Sequence, residues 1–241
     1  MTTLLEGPFS KQLKEGTKKS HSMAENTTYV RQFLKGVVDH ANYSQLVANF
    51  YFIYQAMETE VDRLKDDPYI GPLRLNGLAR KDALIEDVKF FWGPDWKDKI
   101  YPTEATQQYV NRIHEVAKDN PMLLIAHHYT RYMGDLSGGV ILGNIAKKAL
   151  KLTDEGLAFY DFPEISDKKG FKTSYRSVLD DFIEVDQHQI NDIITEANYA
   201  FRLNMYMFEE IQGDAGKSFR ELLVQAISDF CGEMIVSKRY R

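Results

Sequence analysis

Residues 121–152 read PMLLIAHHYTRYMGDLSGGVILGNIAKKALKL, a stretch with the apolar content of one long helix. Four glycines interrupt it within ten residues: Gly134, Gly138, Gly139 and Gly143. A glycine inside a helix costs about 1 kcal/mol relative to alanine. Such glycines allow a bend, or the close approach of the backbone to a partner helix or a flat ligand. Because Asp135 stands among them, the stretch suits a large planar ligand with a reactive face.

Helical periodicity dominates the remainder of the chain. Apolar residues recur at three- and four-residue intervals, which predicts helices over 42–65, 103–118, 121–152, 166–182, 185–212 and 218–237. Period-two alternation, the pattern of a half-buried strand, is not sustained anywhere in the sequence. Proline and glycine breakers are spread evenly, and no long linker divides the chain. We therefore predict one all-α domain of about eight helices covering residues 1–241.

Composition restricts the classes of protein that the chain can belong to. It has 241 residues and a net charge of −5, which argues against general nucleic-acid binding. The single cysteine, Cys231, excludes an intrachain disulfide and favours a reducing, cytoplasmic location. The sequence contains no run of about 18 apolar residues, so it predicts no membrane span. We expect a monomer.

A second polar pattern lies in the first predicted helix, FSKQLKEGTKKSHSMAEN, residues 9–26. Lys14, Lys18, His21 and Glu25 are spaced by four, three and four residues, so they share one helix face. A neutral imidazole is a good ligand for heme iron, and a carboxylate one turn away can orient it. The two lysines could meet acidic groups at the ligand's edge. The alternative is a solvated charged face with an incidental histidine.

Two segments form a recognisable combination, TKKSHSMAEN (17–26) and HHYTRYMGDLSGG (127–139), and three more follow, GLAFYDFPEI, FKTSYRS and AFRLNMYMFEE. Together they resemble the heme oxygenase family, and its cyanobacterial and plastid members in particular. The resemblance implies an all-α fold that holds heme b between a proximal and a distal helix. It also implies that heme is cofactor and substrate, cleaved at the α-meso carbon with O₂ and external electrons to biliverdin, CO and Fe²⁺.

The resemblance assigns the iron site and the distal side of the heme. His21 matches the proximal ligand of the iron, and Glu25 matches the partner of that histidine. Gly134 and Gly138 match the positions where the distal helix bends over the heme. The remaining distal positions match a catalytic polar network, in which one acid organises water: Asp135, Tyr129 and Arg131.

The resemblance also assigns the edge and the wall of the heme pocket. Four cations match residues near the heme propionates: Lys14, Lys18, Lys172 and Arg176. Phe201 and Asn204 match pocket residues on a later helix. The spacing agrees with these assignments, because Lys172 and Arg176 are four residues apart on one helix face.

Two segments are strongly basic although the chain is acidic overall. Residues 11–19 carry a charge of +3 and residues 168–176 carry +4. These segments could form a basic patch for the propionates and for an acidic electron donor, for which the resemblance implies ferredoxin. The alternative is ordinary surface charge on two helices.

The chain departs from the family pattern after the glycines. Family members often read GGQ-x-L-K-K, whereas this chain has Val140, Ile141, Leu142, Gly143 and Asn144. A polar side chain and local positive charge are missing, so we expect a more flexible distal helix and altered docking of the donor.

Other interpretations of the motifs remain open. The glycines could serve a tight helix–helix contact, although a buried Asp135 would be expensive there. His127 and His128 point about 100° apart, so we predict packing and hydrogen bonding for them. The same fold could act as a non-catalytic heme carrier or sensor. An all-α enzyme for a thiamin-like substrate would need a cysteine nucleophile, and Cys231 is poorly placed for it.

Overall fold

Eight α-helices build the part of the chain that the structure, a computed structural model, describes: residues 7–182 and 185–212. They are α1 (Phe9–Glu25), α2 (Thr28–Leu34), α3 (His40–Arg63), α4 (Lys81–Trp92), α5 (Glu104–Asp119), α6 (Leu124–Leu150), α7 (Lys168–Asp180) and α8 (Gln187–Ile211). Four 3₁₀ turns join them, at Gly71–Leu73, Trp96–Asp98, Pro121–Leu123 and Ala158–Tyr160. The prediction of an all-α fold is confirmed.

Periodicity located five of these helices to within a few residues, and the spaced polar face located α1. The prediction over 121–152 begins as the 3₁₀ turn and continues as α6. Two helices, α2 and α4, were not predicted from the sequence. The seven residues of α2 are too few for a periodic pattern, and α4 places the buried acid Asp87 on its apolar face. The helix predicted over 218–237 lies outside the described residues, as does Cys231.

One hydrophobic core joins the helices. Helix α8 packs against α1, α5 and α6, and α3 packs against α4 and α5. Residues 124–133 of α6 are all buried, and Gly134 is the first exposed residue of that helix. Helix α6 therefore runs through the core and opens one face to solvent at the start of the glycine cluster. Among the described helices, none has the length and apolar composition to cross a membrane.

A buried carboxylate ties α5, α6 and α8 together. Glu196 is 5% exposed and accepts hydrogen bonds from Arg112 at 2.6 and 2.9 Å, and its Oε1 lies 2.9 Å from Nε2 of His127. Burial alone would raise the pKa of Glu196, but the hydrogen bonds from Arg112 and His127 lower it to about 2. The predicted packing and hydrogen-bonding role of His127 is thus confirmed.

Replacing Glu196 by glutamine should lower the free energy of unfolding by about 3 kcal/mol at pH 7. A lowered carboxyl pKa contributes stability above the pKa of the unfolded chain, about 4.3, and this is lost as pH falls towards about 2. The deficit of the variant should therefore shrink across that window. Urea unfolding at pH 7, 4 and 3 measures it.

The matched control is Glu115→Gln, because Glu115 pairs with the same guanidinium at 2.8 Å but its side chain is 57% exposed. We expect it to cost less than about 1 kcal/mol. Equal losses in the two variants would contradict a special contribution from the buried pair.

Candidate functional site

Helix α8 brings the two predicted ligand-binding helices together. Phe201 and Asn204 are three residues apart on one face of α8. The ring of Phe201 meets the ring of His21 edge-on, with centroids 5.7 Å apart. Asn204 Oδ1 accepts a hydrogen bond of 2.7 Å from Arg131 of α6. The His21 end of α1 and the Arg131 turn of α6 therefore both contact one face of α8, and we call the region between them the candidate cleft.

The four glycines of α6 divide into two pairs. A Cβ atom built at Gly134 or Gly138 would meet no atom within 4 Å. At Gly139 it would lie 3.6 Å from the side chain of Tyr160, and at Gly143 it would lie 3.1 Å from that side chain. One pair borders open space, and the other allows a close contact with the 3₁₀ turn Ala158–Tyr160. The helix continues unbroken past them, so a bend at Gly134 and Gly138 stays a prediction.

A polar network lies under the open pair of glycines. Arg131 donates hydrogen bonds through Nε to the hydroxyl of Tyr54 at 3.0 Å and through Nη1 to Asn204 at 2.7 Å, and its Nη2 lies 3.5 Å from Oδ1 of Asp135. The hydroxyl of Tyr54 donates to the other oxygen of Asp135. Asn204 donates in turn to the hydroxyl of Tyr109 at 3.4 Å. The network connects α3, α5, α6 and α8.

Burial sets the charge properties of this network. The side chain of Asp135 is 10% exposed, and burial raises its pKa, although Arg131 and the Tyr54 hydroxyl oppose the rise. The pKa of Tyr54 also lies well above its usual range, chiefly because of burial. The Arg131 guanidinium stacks over the rings of Phe50 and Tyr54, at 4.4 and 5.1 Å. Asp135 is thus an immobilised carboxyl group beside the open cleft.

The polar face predicted on α1 is present. The side chain of His21 is 54% exposed, and its Nδ1 lies 3.5 Å from Glu25. This pairing leaves Nε2 for a ligand. Lys14 and Lys18 are exposed on the preceding turns of the helix.

Helix α7 supplies the other two predicted cations. Lys172 Nζ donates to Oγ of Ser137 on α6 at 3.1 Å. Arg176 donates to the carbonyl of Lys172 at 3.3 Å. Burial raises the pKa of Tyr129, and the charge of Arg176 opposes the rise. The charge of Arg176 therefore reaches Tyr129, whereas the resemblance grouped this tyrosine with the network of Asp135.

The sequence did not single out three residues of the site. Tyr54 and Tyr109 do not stand out in the sequence, because both fit the apolar face of a periodic helix. The hydroxyl of Thr130 is buried without a hydrogen-bond partner. Since Thr130 is four residues before Gly134, it lies on the same side of α6, one turn earlier and in the buried part of the helix.

His128 also has the predicted role in packing and hydrogen bonding. Its Nδ1 lies 2.7 Å from the hydroxyl of Tyr175 on α7. A cavity of about 680 Å³ lies on this other side of α6, walled in part by His128, Tyr132 and Arg80. None of the predicted site residues lines it.

Comparisons with known proteins identify the family of this chain. The model of the family described as heme oxygenase matches residues 7–210. The heme oxygenase of Porphyra purpurea is 48% identical over 230 residues, covering 95% of this chain and 97% of that protein. Heme oxygenase 1 of Synechocystis is 46% identical over 220 residues and covers 91% of both chains.

A solved structure gives the same result. The crystal structure of heme oxygenase-1 from the cyanobacterium Synechocystis in complex with heme superposes with a TM-score of 0.83 and 45% identity. The match covers 92% of this chain and 100% of that one. The chain belongs to the heme oxygenase family.

Proposed function

We propose that the cleft between α1 and α6 binds heme and directs its cleavage to the α-meso carbon, giving biliverdin IXα, CO and Fe²⁺. The chain is a heme oxygenase, an enzyme that uses heme b as cofactor and substrate and takes O₂ and electrons from outside. The observation that carries the proposal is the pair Gly134 and Gly138, which leaves open space directly beside Asp135.

The residues around the cleft suit heme. Nε2 of His21 would bind the iron, and Glu25 would hold the ring through Nδ1. The edge of Phe201 packs against the same imidazole. On the opposite wall, the absence of side chains at Gly134 and Gly138 leaves room for a flat macrocycle. The propionates would meet four cations, two from each of α1 and α7: Lys14, Lys18, Lys172 and Arg176.

Bound heme supplies the iron at which O₂ is reduced. The chain's own network then controls protons and water. Asp135 would hold a water molecule and, in its protonated form, pass a proton to it. Tyr54 and Arg131 fix the carboxyl group from behind, so it cannot turn away. Tyr129 lies near Arg176 and would border the propionate edge.

The experiment adds heme and then ascorbate in air, followed by absorption spectroscopy. A heme oxygenase loses its Soret band as biliverdin appears. A heme carrier or sensor keeps the Soret band, and that outcome would overturn the proposal.

Replacing Gly134 or Gly138 by alanine should stabilise the heme-free protein and lower its affinity for heme. Each substitution removes a helix glycine and should add about 1 kcal/mol to the free energy of unfolding. The new methyl group would occupy the cleft, so heme affinity should fall. Thermal unfolding of the apo-protein and heme titration measure the two effects.

Gly139→Ala is the matched control, because its methyl group would lie at an ordinary 3.6 Å from Tyr160, away from the cleft. It should gain stability without losing heme affinity. If Gly138→Ala binds heme as well as Gly139→Ala does, the proposed cradle is wrong.

We also propose that the electron donor is ferredoxin or a similar acidic protein. The lysine-rich faces of α1 and α7 favour an acidic partner. With reduced ferredoxin in place of ascorbate, the rate of biliverdin formation should fall as salt is added, because salt screens such contacts. A rate that is independent of salt would contradict it.

We also propose an oligomeric state, a location and a domain organisation for the chain. We propose a monomer, because all the groups that would contact heme come from one chain. We propose a cytoplasmic location, since a reducing compartment suits a single cysteine. We propose that residues 1–241 form one domain around the core that the described helices share.

A further inference from the structure

We propose that the buried pair His128–Tyr175 is a positioning device that fixes the rotation of heme in the cleft, and so the meso carbon that reacts. The inference rests on the proposed function, because it takes Lys172 and Arg176 to bind the propionates. Neither His128 nor Tyr175 would touch the heme itself.

The pair joins α6 to α7 tightly. His128 is 3% exposed and Tyr175 is fully buried. Nδ1 of the histidine and the tyrosine hydroxyl are 2.7 Å apart, and the two rings stack at 5.6 Å with an angle of 13°. Burial lowers the pKa of His128 to about 3, so the ring is neutral at physiological pH and the bond does not switch with pH.

Binding of heme would leave this bond as the main polar link between the two helices. Lys172 Nζ donates to Oγ of Ser137 in α6. A propionate would compete for that ammonium group. Among the described residues, His128–Tyr175 would then be the one remaining side-chain hydrogen bond between α6 and α7.

The other end of α7 is tied to the proximal wall. Asp180 accepts hydrogen bonds of 2.8 and 2.9 Å from the backbone and hydroxyl of Ser10 in α1. Helix α7 is therefore held to α1 by its C-terminal end and to α6 by its middle. Tyr175 lies between Lys172 and Arg176, so its anchor sets the position of both cations at once.

The propionates are the charged substituents of an otherwise apolar macrocycle. If the two cations of α7 shift together, the preferred rotation of the heme about its own normal shifts with them. A different meso carbon then lies beside Asp135. The hydrogen bond thus acts on regiochemistry through α7.

The test compares Tyr175→Phe and His128→Ala with the wild type. Tyr175→Phe removes one hydroxyl group and keeps the ring, so it should fold. We expect a second set of heme-methyl resonances in the ¹H NMR spectrum of the ferric complex. The ratio of other biliverdin isomers to IXα should rise about fivefold, which corresponds to about 1 kcal/mol.

Two further variants separate positioning from general stability. His128→Asn keeps a polar atom near the position of Nδ1 and should restore a single heme orientation in part. Tyr132→Phe is the matched control, since it removes a buried hydroxyl that donates to Glu58 at 2.8 Å, away from α7. It should leave the resonances and the isomer ratio unchanged.

The outcomes are distinct. One heme orientation and the wild-type isomer ratio in both Tyr175→Phe and His128→Ala would overturn the inference, even if stability or heme affinity fell. If wild type binds heme but makes no biliverdin, the proposed function fails. The NMR spectra of the same variants would still decide whether the pair positions the heme.

Discussion

Replacing His21 by alanine should give a folded protein that binds heme weakly, lacks the spectrum of a histidine-ligated complex and makes essentially no biliverdin. The imidazole is half exposed on α1, so its removal should cost little stability. Apolar contacts, including Phe201, would still retain some heme. Absorption spectra of the ferric complex and biliverdin formation with ascorbate measure the loss.

The chain offers a matched control for His21. His188 forms the same four-residue pair with a carboxylate, lying 3.1 Å from Asp192 on an exposed helix face. His188→Ala should leave the heme spectrum and turnover unchanged. Added imidazole should restore the spectrum of His21→Ala in part. An unchanged Soret band and turnover in His21→Ala would refute the ligand assignment.

The partner of His21 should have a smaller effect. Glu25→Gln keeps the shape of the side chain but loses the charge that faces Nδ1. Loss of such an outer partner commonly lowers metal-site affinity or activity roughly 10- to 100-fold. Glu25 is therefore expected to tune the ligand, whereas His21 is expected to be the ligand.

The sequence predicted the helices whose apolar faces are long and regular. Helix α4 was missed because Asp87, which is 1% exposed, stands on its buried face. Its carboxylate accepts hydrogen bonds of 2.8 Å from the backbone of Ala158 and Phe159. A side chain that is buried because of partners about 70 residues away has no local signal.

The site was predictable where its residues lie close together along the chain. His21 with Glu25, and Asp135 with its glycines, each form a local pattern on one helix. Tyr54 is 81 residues from Asp135 and resembles any tyrosine of a helix core. Only the packing of α3 against α6 reveals its hydroxyl as part of the network.

The glycines also have different surroundings that the sequence alone could not predict. Gly138 and Gly139 are adjacent and identical in type, yet one borders open space and the other faces Tyr160. The sequence left ligand approach and helix contact as alternatives. The structure shows the close contact at Gly139 and Gly143, because Tyr160 comes from a separate turn that covers only one side of α6, whereas ligand approach at Gly134 and Gly138 stays a proposal.

Replacing Asp135 by alanine should preserve heme binding and lower biliverdin formation by at least about 100-fold. Positioned acids and bases contribute typically about 10²- to 10⁴-fold. Asp135 is the carboxyl group of the network beside the open glycines, and burial raises its pKa, which favours the protonated form relative to an exposed aspartate. Heme consumption and biliverdin yield with ascorbate measure the effect.

Asp135→Asn and Tyr54→Phe separate proton transfer from positioning. The amide keeps the shape and one acceptor oxygen but cannot pass a proton, so Asp135→Asn should be nearly as inactive as Asp135→Ala. Tyr54→Phe removes a hydrogen bond to the same group yet keeps the carboxyl, so most activity should remain. If Asp135→Asn turned over like the wild type, the carboxyl would only hold water in place. Normal biliverdin yield from Asp135→Ala would exclude both roles, because no other carboxyl group joins this network among the described residues.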